Sequence, residues 1–340
     1  MRNLGHTIAW ARAQSWAILP GYAETIMSVL ERRAGGVRLS SGELTELIGE
    51  RQAASQLQRS SAAQASRGGI AVIPIVGPIS ARAGMIEDAS GMTSHEAISA
   101  ALAAADADAS VGTIVLDLNS PGGTVAGTPE LAARLRAMTK PVIAQVNYMA
   151  ASAAYWLAAQ ADEIVVSPSG EVGSIGVVQA HEDVSAAAAA DGVKVSFITA
   201  GKHKAEGNRF EPLSEDARAY AQSQVDTAYG MFVADVAKGR GVSKATASGA
   251  SFGEGRMLGA KAALDAGMVD RIATMDETLA RLQSGGRVKR RMRADTSDAA
   301  PLLAAVEIPP TPEVVAPVAA QPNTDKDFEV ELALSELDSL

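Results

Sequence analysis

Between Gly69 and about Leu282, short β-branched apolar runs alternate with alanine-rich stretches that place apolar residues on one helical face. Ile70 to Val76 reads as a strand stopped by Gly77-Pro78. Thr93 with Glu96 reads as a capping box that opens a helix to about Ala107. The pattern then predicts a strand over Thr113 to Leu118, a helix over Thr128 to Met138 and a strand over Pro141 to Val146. It continues with a helix over Ala151 to Ala161 and strands at Glu163 to Val166 and Ile175 to Val178. A helix over Asp183 to Asp191, a strand over Val195 to Thr199 and a long helix capped by Ser214 and reaching about Lys238 complete the series. Short apolar strands separated by helices are the mark of parallel βαβ units covered on both faces, so the class is α/β.

The flanks differ. Residues 1–66 read as a helical N-terminal extension, with Trp10, Trp16, Ile18, Leu19, Ile26 and Leu30 as apolar anchors, followed by a polar, mobile linker over Arg51 to Gly69. Residues 67–285 form the periodic domain. Residues 286–340 lose periodicity: a basic linker around Arg287 to Arg293 leads into a tail in which six prolines exclude regular helix, so it reads as disordered. Val330, Leu334 and Leu337 regain helical spacing at its end, as a short terminal helix or a frayed terminus.

Charge sharpens the division. From Asp295 onward there are ten acidic residues and one basic residue, Lys326, so the tail carries the whole net charge of −9. The rest is balanced, which argues against a nucleic-acid-binding surface. The absence of cysteine excludes disulfides and thiolate chemistry, and four histidines without ligand spacing call for no metal and no cofactor. No apolar run approaches the 18 residues of a membrane span, and the start does not read as a signal peptide, so a cytoplasmic protein without membrane partners is expected.

Candidate chemistry sits after two strands, where open α/β sheets place their sites. Ser120-Pro121-Gly122-Gly123 follows the strand ending at Leu118, and paired glycines there let N–H groups face an oxyanion; the same residues also make a plain turn. Met149-Ala150-Ala151-Ser152 follows the strand ending at Val146. A serine among small residues at a strand-to-helix junction is sterically open for attack, and it equally suits an N-cap. No histidine falls comfortably as its base. Gly201-Lys202-His203-Lys204 follows another apolar run, and a lysine walled by apolar groups can take a serine's proton; solvated lysines fit the same spacing.

In order, Ser-Pro-Gly-Gly, Met-Ala-Ala-Ser, Gly173-Ser174-Ile175-Gly176 and Gly-Lys-His-Lys closely resemble the S49 peptidases, over about residues 70 to 275. The resemblance implies a ClpP/crotonase-like βαβ superhelical fold and a serine endopeptidase that needs no cofactor. It implies Ser152 as nucleophile, Lys204 as general base, and an oxyanion hole from the N–H groups of Gly123 and Ala153, with Gly122 shaping it. Ser174 is a candidate to hold the lysine ammonium. Ala153-Ala154 depart from the glycines that many relatives carry there. The Gly-Lys-His-Lys-Ala-Glu-Gly-Asn stretch and the tail are similar to the phage head-maturation branch. That implies protein substrates such as scaffold, portal or capsid proteins, a homo-oligomer, and work in the host cytoplasm or procapsid interior. A peptide-clearing cytoplasmic S49 peptidase, a non-catalytic scaffold protein and a crotonase-type acyl-CoA enzyme are the competing readings.

Overall fold

The computed structural model describes residues 14–34, 66–67, 69–81 and 93–288. The tail, with the terminal helix or frayed end expected there, most of the linker and the basic cluster beyond Val288 lie outside the described residues. The chain divides into two units, Met1–Ala294 and Asp295–Leu340.

The strands are β1 (Trp16–Ile18), β2 (Ser66–Arg67), β3 (Ile70–Val76), β4 (Ile79–Ser80), β5 (Thr93–Ser94) and β6 (Thr113–Ser120). They continue as β7 (Gly122–Thr124), β8 (Val142–Ala151), β9 (Glu163–Val166), β10 (Glu171–Gly173), β11 (Met257–Gly259) and β12 (Arg271–Ile272). The helices are α1 (Pro20–Ala34), α2 (His95–Ala107), α3 (Thr128–Ala137), α4 (Ala153–Ala158) and α5 (Ser185–Ala190). Then come α6 (Glu215–Arg240), α7 (Lys244–Ser248), α8 (Ala260–Asp265) and α9 (Met275–Gln283).

The large sheet runs β11-β10-β8-β6-β3-β2, with β9 joined to β8 and β12 to β9. Its central pairs, β3 with β6, β6 with β8 and β8 with β9, are all parallel, as the βαβ alternation predicts. A smaller sheet runs β1-β7-β4-β5. Ile75, Ile114, Leu116, Leu118, Val142 and Val146 from the central strands meet Leu102, Leu131, Leu135, Trp156 and Phe232 from the helices in one apolar core. Trp156 stacks on Phe232 with ring centroids 4.5 Å apart, and its Nε1–H donates to Asp235 at 2.7 Å, which leaves neither the ring face nor its polar edge unsatisfied.

Several local expectations need correction. Trp16 and Ile18 lie on a strand and not on a helix; α1 starts only at Pro20, whose fixed φ suits the first turn. The cap of α2 is Ser94, whose Oγ accepts from Ala97 N–H at 3.1 Å, because Thr93 is committed to β5 and donates its hydroxyl to Val76 O. The strand expected at Pro141 to Val146 runs on to Ala151, which shortens the following helix to six residues. Regular pairing falls on Glu171–Gly173 and not on Ile175 to Val178, where only Val178 forms a bridge. Val195 to Thr199 is no strand: among the described residues nothing pairs with it, and it lies exposed. At the edge of the polar linker, Ser66–Arg67 pairs antiparallel with Ile70 and Ala71.

β8 positions the site. Leu118 of β6 pairs with Val146, but Ser120 pairs with Ala150, so β8 carries extra residues in a bulge around Tyr148, which has φ 83°. Bulges bend a strand and re-aim the residues beyond them. Upstream of this one β8 pairs with β9; beyond it, Met149 to Ala151 pair with β10.

Candidate active site

Ser152 is the residue at which β8 turns into α4. Its backbone is left-handed, φ 54° and ψ −118°, a region costly for a non-glycine residue and retained only where the surroundings fix it. They do: Ser152 N–H donates to Gly173 O at 2.7 Å, and Trp156 N–H donates to Ser152 O at 2.9 Å. Every residue of α4 is buried. The sharp turn puts Ser152 Oγ toward Gly176 O, to which it donates at 3.3 Å, and leaves the N–H of Ala153 at the start of the helix without an intrahelical acceptor.

The glycine pair lies alongside. Gly122 has φ 104°, and a Cβ on it would fall 2.2 Å from Ala17 O and 3.0 Å from Ala151 O. A Cβ on Gly123 would fall 1.9 Å from Ile79 O of β4. Neither position can carry a side chain without moving backbone. Ser120 Oγ accepts from Gly122 N–H at 3.2 Å and steadies the turn. Ser174 is also left-handed, φ 53°, and nearly buried; its N–H donates to Arg256 O at 2.9 Å. Beneath the bulge, burial pushes the Asp117 carboxyl up, against the hydrogen bond from the Asn147 amide that draws it down.

The fold therefore brings Ser152, Ala153, Gly122, Gly123 and Ser174 together around one turn. Lys204 is placed differently. It sits in a run of turns over Gly201 to Gly207, its N–H bonded to Gly201 O at 3.1 Å and its side chain in solvent. No residue from Gly176 to Asp216 is buried, so this whole stretch forms an exposed arm between the turn around Ser152 and α6. Within one chain, Ser152 Oγ is hydrogen-bonded to Gly176 O and not to Lys204.

Three contributors were not read from the sequence: the carbonyls of Gly176 and Gly173, and strand β1, which pairs antiparallel with β7 through Trp16–Thr124, Ala17–Gly123 and Ile18–Gly122. A three-residue alternation, Trp16 and Ile18 around a small Ala17, is too short a signal to reveal β1.

Residues 134–289 match the family described as Peptidase family S49. Capsid assembly protease C of Escherichia phage lambda is 30% identical, covering 98% of this chain and 80% of the phage protein. The chain belongs to peptidase family S49. Its class is accordingly that of a serine-type protease. Head-tail preconnector protein GP5 of Enterobacteria phage P21 is 33% identical over 82% of this chain and 57% of its own length, and with these two relatives the chain falls in the phage head-maturation branch of the S49 family. Among solved structures, a membrane-bound stomatin-specific protease aligns at 17% identity and TM-score 0.44, covering 66% of this chain and 93% of that one. Among the described residues of this S49 peptidase, no helix is long and apolar enough to cross a membrane.

Proposed function

We propose that this protein is a serine endopeptidase acting in phage head assembly, with Ser152 as nucleophile and Lys204 as general base. The observation that carries the reading is Ser152 held in a strained, over-determined turn beside two glycines where a side chain would displace backbone, in a chain similar along nearly its whole length to a capsid assembly protease. Ser152 Oγ attacks a substrate carbonyl whose developing negative charge is taken by the N–H groups of Gly123 and Ala153, while Gly122 gives the turn its shape. Ser174 holds the lysine ammonium.

Lys204 completes the site when the arm is ordered against an apolar surface. The arm exposes Val193, Val195, Phe197 and Ile198, the last at 100%, and apolar surface of this kind on a solvent-facing segment supports self-association. Packing between copies would supply the dry walls that a lysine base requires. The substrates are proteins of the assembling shell: scaffold, portal, capsid subunits or this chain itself. The catalytic unit spans residues 67–285, and the acidic tail recruits it to shell protein, raising local substrate concentration.

A serine-reactive fluorophosphonate probe, followed by peptide mapping, should label Ser152, and mass spectrometry of shell proteins incubated with the enzyme should show discrete cuts. Removing residues 295–340 should leave casein hydrolysis unchanged while reducing cleavage of shell proteins. A folded Ser152→Ala protein that cleaves at the wild-type rate would overturn the assignment.

A further inference from the structure

β1 lies directly against the glycine pair. It lies between two walls and is antiparallel to both. On one side Val125 N–H donates to Ser15 O at 3.1 Å and Leu19 N–H donates to Pro121 O at 3.0 Å. On the other, Trp16 N–H donates to Val178 O and Val178 N–H to Trp16 O, both at 2.9 Å. Paired residues in an antiparallel ladder alternate between hydrogen-bonded and non-hydrogen-bonded positions. With Ser15–Val125 and Leu19–Pro121 bonded, Ala17–Gly123 between them is a bonded position too. The carbonyl of Ala17 thus faces the N–H of Gly123, the donor assigned above to the oxyanion hole. Its closeness to the glycine pair is independent of that alternation: a Cβ on Gly122 would lie 2.2 Å from Ala17 O.

The side chain of Ala17 is fully buried and packs with Val125, Ala153 and Ala228, a site with room for a small residue. Ala153 directly follows the nucleophile. Ser152 itself is 1% exposed, and its Oγ points to Gly176 O, two residues before the Val178 that holds Trp16. A foreign peptide cannot reach Ser152 along these walls while β1 is in place.

We propose that Ser15–Leu19 is a built-in substrate strand and that the Ala17–Ile18 peptide bond is a self-processing site, an inference that rests on the catalytic reading above. Ser152 Oγ adds to the carbonyl carbon of Ala17 as its proton passes to Lys204. The C–N bond to Ile18 breaks, and the proton is returned to the Ile18 amine, the new N-terminus. Water then hydrolyses the Ala17 ester to a carboxylate and restores the Ser152 hydroxyl. Residues 1–17 leave, and the cleft opens to other chains.

The test is intact-mass analysis and N-terminal sequencing of the full-length protein over time, alongside hydrolysis of labelled casein. The expected result is a chain beginning at Ile18, with casein hydrolysis lagging until that species accumulates. Ser152→Ala should remain at full length, and Ala17→Glu, which forces a charge into the small apolar site, should slow the cut at least tenfold. Casein hydrolysis by a chain that keeps its first 17 residues overturns this inference and leaves the catalytic reading standing, as does the same cut appearing in a purified Ser152→Ala protein that hydrolyses no casein. A folded protein that cuts neither itself nor casein defeats the catalytic reading, and the inference falls with it.

Discussion

The turn around Ser152 and the arm around Lys204 belong to one proposed site but to opposite physical regimes. In the turn, left-handed backbone at the buried Ser152 and Ser174 is held by their N–H bonds to Gly173 O and Arg256 O, beside glycines with no room for a methyl group. In the arm, Gly201 is also left-handed, φ 101°, yet the nearest atom to a Cβ there is Lys204 Cβ at 3.8 Å, and nothing from Gly176 to Asp216 is buried. Strain of a few kcal/mol persists only where packing outweighs it, so the turn is fixed by the fold of a single chain. The arm has no such constraint. Under the proposed mechanism the contrast separates where the nucleophile is built from where the base is completed, and makes activity depend on what the arm meets.

The largest effect should be Ser152→Ala, a loss of about 10⁴-fold or more in peptide cleavage, with melting temperature unchanged because only one 3.3 Å hydrogen bond is removed. Lys204→Ala should approach that loss and leave stability equally untouched, since the two residues act as a unit; circular dichroism with a casein assay checks both. If Lys204→Ala melted early instead, the arm would be part of the folded core and the contrast would fail.

Stability should divide the two regions. Arg240 is buried, pairs with Asp270 at 2.9 Å and donates to Gly267 O at 2.7 Å; Arg240→Ala should cost about 3 kcal/mol in chemical denaturation by leaving the Asp270 carboxylate short of its partner. Gly123→Ala should cost about 2 kcal/mol, because its Cβ meets Ile79 O at 1.9 Å, and should lower activity as well. In the arm, Arg209 pairs with Glu182 at 3.1 Å in solvent, and Arg209→Ala should change stability by about 0.5 kcal/mol or less. Ile198→Asp should be equally silent in denaturation while reducing the particle size measured by light scattering.

Acid sensitivity offers a finer probe of the packed region. His95 is buried, with Nε2 against Thr128 Oγ1 at 2.9 Å, and burial lowers its pKa from 6.5 to about 4. The folded chain therefore holds a neutral ring where the unfolded chain binds a proton. This contribution to stability is complete above about pH 6.5 and is lost as the pH falls toward 4, on the order of 3 kcal/mol in all. His95→Gln should flatten that slope in urea denaturation measured between pH 7 and pH 4.

Much of the turn was legible in the sequence. Ile70 to Val76 and Glu163 to Val166 fall as expected, Ser214 caps α6, and Ser152 with the glycine pair sits at the strand ends where the α/β pattern put it. These features are local: β-branched runs, caps and turn residues carry their own signal. What failed was non-local. Trp16 and Ile18 looked like helix anchors because their partner, β7, lies about a hundred residues away, and a three-residue strand has too little periodicity to announce itself. Ile175 to Val178 and Val195 to Thr199 have strand composition but form no regular ladder, since composition does not specify a neighbour. Lys204 was found by its motif, whereas its exposure was not written in its neighbours.

Trp16 also gives the cleft an optical readout. Of the three tryptophans, Trp156 is sealed against Phe232 in the core, whereas Trp16, 7% exposed, is covered by Ile18 and by Tyr22, Ile26 and Met27 of α1, all of which follow the proposed cut. With Trp10 replaced by phenylalanine, departure of β1 should shift the Trp16 contribution to the red and make it open to iodide quenching, while Trp156 supplies a constant internal reference. Opening of the cleft could then be timed in a stopped-flow fluorimeter without any label and in the absence of substrate.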